Sequence, residues 1–191
     1  MKIINYAIAA ILTMMSFNVT AQNLTVDTQN STINWTGKKI GGQHQGSINF
    51  KNGTLVLKKD KVVSGNFVVD MNTISCTDIE DAGYNAKLVG HLKSDDFFGV
   101  EKFPTAVLKI TNATKFLNNK ASISGLLTIK GKTKPINFEL LRKGNTFTAT
   151  VAIDRSKFDV RYGSTSFFDS LGDKAIDDIF TLDVKIVTTA K

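Results

Sequence analysis

From residue 22 onward, apolar and polar residues alternate with period two, interrupted by clusters of Gly, Asn and Asp. Successive side chains on a strand point to opposite faces, so this pattern builds strands with one apolar and one wet face. Ile33 and Trp35 fall on one side of a first run, and Ile48 and Phe50 on one side of a second. Phe67, Val69 and Met71 oppose Asn66, Val68, Asp70 and Asn72. The second half is cleaner: Ala106, Leu108 and Ile110; Ile123, Gly125, Leu127 and Ile129; Ile136, Phe138 and Leu140; Phe147, Ala149, Val151 and Ile153; Phe180, Leu182, Val184 and Ile186. The chain offers little helix to cover so many one-sided strands. Closing the sheet on itself hides the apolar faces and removes the edges. The expectation is an all-β, antiparallel up-and-down barrel of about eight strands with one or two short helices.

Local signals fill in the connections. Asn52-Gly53 reads as a hairpin turn, both residues tolerating positive φ, and the charged stretch Lys58 to Lys61 reads as another. Tyr84 to Lys93 is the one helix candidate, with Leu88 and Leu92 four apart and a start at Gly83 or Asn85. It is short enough to be a lid or plug at a barrel end. Arg155 to Asp178 is long for a barrel connection, and long connections are often binding loops.

The ends and the charge bound the setting. Lys2, the apolar run Ile3 to Met15 and the small residues Val19 and Ala21 read as a secretory leader over residues 1–21, leaving a single barrel domain over 22–191. The expected location is the periplasm or the exterior, with a cut near Ala21. The apolar run is short of the ~20 residues of a spanning helix, so no membrane span is expected. The net charge of +7, or +6 without Lys2, is spread singly along strands, as at Lys109, Lys130 and Lys185. With no stripe of Arg and aromatic residues, nucleic acid is not an expected partner. Cys76 is the only cysteine, which excludes an internal disulfide and suits a passive, partly buried thiol. The sequence leaves a homodimer open.

Catalytic material is sparse. Gly163 to Phe167 lacks the second glycine of a hydrolase elbow, and Gly37 to Gly42 has the wrong order for a phosphate loop. His91 with Asp95 or Asp96 is the only metal arrangement worth weighing, against the simpler reading of a solvated turn. No catalytic residue, metal or cofactor is assigned. Phenylalanine, by contrast, occurs thirteen times, against three tyrosines and one tryptophan. An interior of Phe suits a partner without hydrogen-bonding groups, because each ring brings area and no polar tip. A filled core explains many of them equally well. Phe97, Phe98, Phe103, Phe167 and Phe168 differ in lying off the alternating strands, where they need shelter.

Three segments carry a resemblance: HLKSDDFFGVEKFP at 91–104, ISGLLTIKGKTKPINFEL at 123–140 and IDRSKFDVRYG at 153–163. With His91-Leu92, Asp96-Phe97-Phe98, Phe103-Pro104, Gly125 to Gly131, Lys134-Pro135 and Asp154-Arg155 before Phe158, the chain resembles the YceI-like, polyisoprenoid-binding family. It departs at Gly99, where an acidic residue is usual, at Asp159, which stands for a common glycine, and at Gly41 to His44. The resemblance implies an exported lipocalin-like barrel that holds a long isoprenoid or related amphiphile in its pore, and no enzyme. The residues expected along that lipid are Trp35, Phe50, Phe67, Val69, Met71, Leu108, Leu127, Phe138, Phe147 and Phe180 from strands, and Leu88, Leu92, Phe97, Phe98 and Phe103 from the lid. His91, Arg155 and Tyr162 are candidates for the head group; Arg155 is also a candidate loop anchor, pairing with Asp95 or Asp96. Two other readings stay open: an enzyme acting on a quinone or lipid in the same barrel, and a filled-core interaction or stress-response module.

Overall fold

The structure is a computed structural model and describes residues 21–190. The leader reading falls outside them except for Ala21. The strands are β1 (Gln22–Val26), β2 (Thr32–Lys39), β3 (Gly42–Lys58), β4 (Lys61–Cys76), β5 (Thr105–Ala113), β6 (Lys120–Ile129), β7 (Lys132–Lys143), β8 (Thr146–Asp154) and β9 (Ile179–Ala190). All pairings are antiparallel. From β2 to β9 each strand pairs with the next, and β2 pairs with β9, which closes a barrel of eight. β1 fills the same slot as β2 further along, between the far halves of β3 and β9. It acts as the broken first part of one long strand.

The period-two pattern is what closes this ring. Along β8, Phe147, Ala149, Val151 and Ile153 are buried while the intervening residues are more exposed. The β6–β7 hairpin turns on Lys130 and Gly131, both at positive φ, the geometry whose twist suits tight hairpins.

The Asn52-Gly53 reading is corrected. β3 runs straight through, with Asn52 opposite Val68 and Gly53 opposite Phe67, and the register shifts between Phe50 and Asn52. A bulge bends the strand here instead of reversing it. Gly53 is needed for space, not for a turn: a Cβ there would press on the side chains of Val26 and Phe67. The reversal comes at the charged turn, where Lys59 takes φ 56°.

The helix, α1 (Ala82–Lys93), starts earlier than the sequence suggests. Asp81 caps it, its carboxylate accepting from the Tyr84 amide at 2.8 Å. Asn85 instead reaches back, donating to the carbonyls of Cys76 and Ile79 and tying the helix to the end of β4. The stretch after β8 opens with a short 3-10 turn, Arg155–Phe158, and a second follows at Gly172–Lys174. Asp159 takes φ 61° and Gly99 φ 58°, so both departures from the family pattern sit in the left-handed region. Among the described residues no helix is long and apolar enough to cross a membrane.

Candidate ligand-binding cavity

The barrel interior has two zones. Toward the β3–β4 turn it is filled: Leu24, Val26, Leu55, Leu57, Val62 and Ile123 are buried there, and Phe147, 1% exposed, lies against Phe116 with ring centroids 6.3 Å apart. Above this floor lies a cavity of about 200 Å³. Every strand from β2 to β9 contributes to its wall. Of the expected strand residues, Trp35, Phe50, Phe67, Val69, Met71, Leu108, Leu127, Phe138, Phe147 and Phe180 all line it. Parity alone found them, because one-sided strands in a closed ring have a single inside.

The lid is built from α1 and the segments after it and after β8. Leu92, Phe97 and Phe98 border the cavity. Two expected lid residues do not. Leu88 packs against the core from the helix without reaching the wall, and Phe103 covers Gly131 at the β6–β7 turn. Phe167 and Phe168 stay at the surface, 39% and 48% exposed, with the Arg161 guanidinium 5.0 Å from the Phe167 ring.

The polar candidates meet at this lid in an order the sequence does not give. The exposed Tyr162 ring stands edge-on to His91 at 4.3 Å, His91 to Phe97 at 5.8 Å, Phe97 to Phe98 at 5.0 Å and Phe98 to Phe180 at 6.4 Å. The chain of rings runs from the surface to the cavity wall. His91 is therefore one step behind the wall and Tyr162 two, and His91 Nε2 is buried with no hydrogen-bond partner.

Arg155 reaches the wall itself and is 2% exposed. Its expected pairing with Asp95 or Asp96 is corrected. Nε donates to the Asp177 carbonyl at 3.0 Å, one terminal nitrogen to those of Val160 and Tyr162, both at 2.9 Å, and the other to that of Ile176 at 2.9 Å. The last nitrogen also lies 3.5 Å from the Asp178 carboxylate. A buried charge must be paired and hydrogen-bonded, and here one side chain does so by gathering both limbs of the loop. Phe97 stacks beneath it, 5.5 Å from the guanidinium. Burial pulls its titration down, opposed by Asp178, Asp154 and Asp177. Asp95 pairs instead with Lys102, and no cluster of metal-ligating side chains forms among the described residues.

Ile176 and Asp177 also border the cavity, and sequence reasoning missed them. They lie in an aperiodic segment. The end of β2 and the residue after it hold them: Ile40 donates to the Ala175 carbonyl and Asp177 to that of Lys38. Asp177 is exposed as well as cavity-lining, so it marks where the wall meets solvent. Among the described residues, none on the wall but Arg155 and Asp177 carries a charge, and the Trp35 indole N–H is engaged with the Ser75 carbonyl at 3.1 Å.

A closed eight-stranded antiparallel barrel with an apolar chamber under a lid of loops is a lipocalin-like barrel. The model of the YceI-like domain matches residues 24–188, and the chain belongs to that family. A UPF0312 protein of Vibrio cholerae is 26% identical over 85% of this chain and 90% of its own length. One from Vibrio parahaemolyticus is 30% identical over 64% of this chain and 77% of its own. Among solved structures, BcnA of Burkholderia cenocepacia shares the fold with a TM-score of 0.68, 23% identity and coverage of 86% of this chain and 99% of that one. A polyisoprenoid binding domain from Saccharophagus degradans, implicated in plant cell wall breakdown, has a TM-score of 0.60 at 13% identity, over 88% of this chain and 98% of that one.

Proposed function

We propose that this protein is an exported carrier of a long apolar lipid, of polyisoprenoid or isoprenoid-quinone kind, held in the barrel chamber, and that it is not an enzyme. The observation that carries the reading is the wall: about 200 Å³ of space bounded by Phe, Leu, Ile and Val from eight strands, with its two charges confined to the lid side. An apolar cavity on the order of 150 Å³ stays dry and takes up apolar guests. A chain that leaves water gains roughly 0.8 kcal/mol for each buried CH₂, so a smooth apolar wall suffices for binding without specific contacts. The polyisoprenoid-binding neighbour supports the same chemistry. In this reading residues 1–21 are removed on export to the periplasm, and residues 22–191 are the working domain.

Ala149 lines the cavity and is small, so Ala149→Trp fills the chamber from one strand. Gly125 offers no such site, because a Cβ there would press on Leu108 and on the backbone of Lys109. The expected result is that unmodified protein takes up a fluorescent isoprenoid analogue while folded Ala149→Trp does not. Equal uptake by both, or none by either, overturns the proposal. Native mass spectrometry of protein from its own host should show a bound, extractable lipid.

A further inference from the structure

Resting on that reading, we infer that the lipid has an uncharged head, an alcohol or a quinone, and that the site discriminates against the phosphate esters of the same chain. An anionic head needs a free cation or converging N–H donors. Among the described residues the cavity wall has one cation, Arg155, and four of its N–H groups are taken, by the carbonyls of Asp177, Val160, Tyr162 and Ile176. One N–H remains, on the nitrogen that lies 3.5 Å from the Asp178 carboxylate. Trp35, the other side-chain donor on the wall, is committed to Ser75. A phosphate entering here would find only that one N–H, which already faces a carboxylate, to replace its water.

Carboxylates also offset the charge of this cation. Asp154, Asp177 and Asp178 all act on Arg155, and Lys157, the other cation of this turn, is drawn to Asp154 at 3.5 Å. Asp177 lines the cavity and is exposed, so it puts a negative charge where the cavity meets solvent. Lys130, near the same loop, is occupied by the carbonyls of Asp95 and Asp159. A neutral head needs neither a cation nor a donor on the wall, since it can keep its water where the cavity meets solvent at Asp177.

Trp35 is the only tryptophan and lines the chamber, so its emission reports occupancy directly. Delipidated protein is titrated with farnesol and, separately, with farnesyl phosphate at pH 7.5, and Asp177→Asn is titrated with both. Half-saturation by the alcohol is expected at a concentration at least about tenfold lower than by the phosphate, a gap of 1.4 kcal/mol or more. Asp177→Asn should narrow that ratio, because it removes the charge at the rim. If the phosphate binds as well as the alcohol or better, the head-group inference falls while the carrier reading stands. An unchanged ratio in Asp177→Asn removes Asp177 as the source of discrimination and overturns that step. If neither compound alters Trp35 emission while the protein remains folded, the carrier reading itself fails and the inference goes with it.

Discussion

Cys76 shows how little a residue's chemistry follows from its neighbours in sequence. Its thiol is buried and donates to Asp78 Oδ1 at 3.2 Å, while His44, brought over from β3, meets Asp78 Oδ2 at 2.9 Å. Burial pushes the thiol's titration up, and the hydrogen bond to Asp78 pushes it further. A thiol held protonated is a poor nucleophile. Alkylation by iodoacetamide at pH 8 should therefore be slower than for free cysteine, and gels with and without reductant should agree. A reductant-sensitive dimer would contradict this. Asp78 carries the complementary effect. Burial works to raise its pKa, but the Gln45 amide, His44 and the Cys76 thiol outweigh that and hold it at about 2. A carboxyl that titrates lower folded than unfolded adds stability above about pH 4, and the contribution is lost as pH falls toward 2. Asp78 is partly solvated, so screening limits the effect to about 1 kcal/mol. Acid titration of unfolding should show Asp78→Asn flatter than the unmodified protein between pH 4 and 2.

At the scale of elements, strands with strict alternation were legible and the devices that shape them were not. Parity identified the inward faces of β5 to β9 because burial there repeats every second residue. The same reasoning misread Asn52-Gly53, since a glycine that makes room for Val26 and Phe67 looks identical in sequence to one that makes a turn. The helix was visible from Leu88 and Leu92, but its start was not, because Asp81 caps through a carboxylate and leaves no trace in the apolar pattern. Asp81→Ala should cost about 1 kcal/mol in thermal or denaturant unfolding. Gly46 gives a stronger test. It lies opposite Trp35 and Cys76, the Trp35 ring covers it, and a Cβ would collide with the Ser75 carbonyl oxygen. Gly46→Ala should therefore lower stability by at least about 2 kcal/mol and shift Trp35 emission, because the clash is with backbone that cannot rotate away. A neutral Gly46→Ala would show that the β3–β4 pairing yields easily at this point.

Across the whole molecule, the lid owes its position to long-range bonds that no local pattern announces. Arg155 binds carbonyls 21 and 22 residues ahead of it as well as nearby, which is why its pairing with Asp95 or Asp96 was a reasonable but mistaken reading of charge. The interior below that lid divides into a filled floor and an open chamber, and this division makes an unequal prediction for two equal substitutions. Phe147 also touches the chamber, from its floor, but it is 1% exposed and packed against Phe116, with the Arg142 guanidinium 5.7 Å from its ring. Phe138 is only partly buried and borders the chamber beside Ile136 and Leu140. In close-packed surroundings a lost ring leaves a void whose cost grows with its volume, whereas beside existing space few contacts disappear. Phe147→Leu should then cost about 2 kcal/mol or more, and Phe138→Leu about 1 kcal/mol or less, in denaturant unfolding of lipid-free protein. Bound lipid should reverse part of that order. A guest stabilises only the folded state that holds it, by an amount set by its affinity. Phe138→Leu should thus lose part of the stabilisation that lipid gives the unmodified protein, while Phe147→Leu, at the floor, should keep most of it. Equal costs in the lipid-free protein would mean that the chamber closes around Phe138 when empty and opens only as the lipid enters.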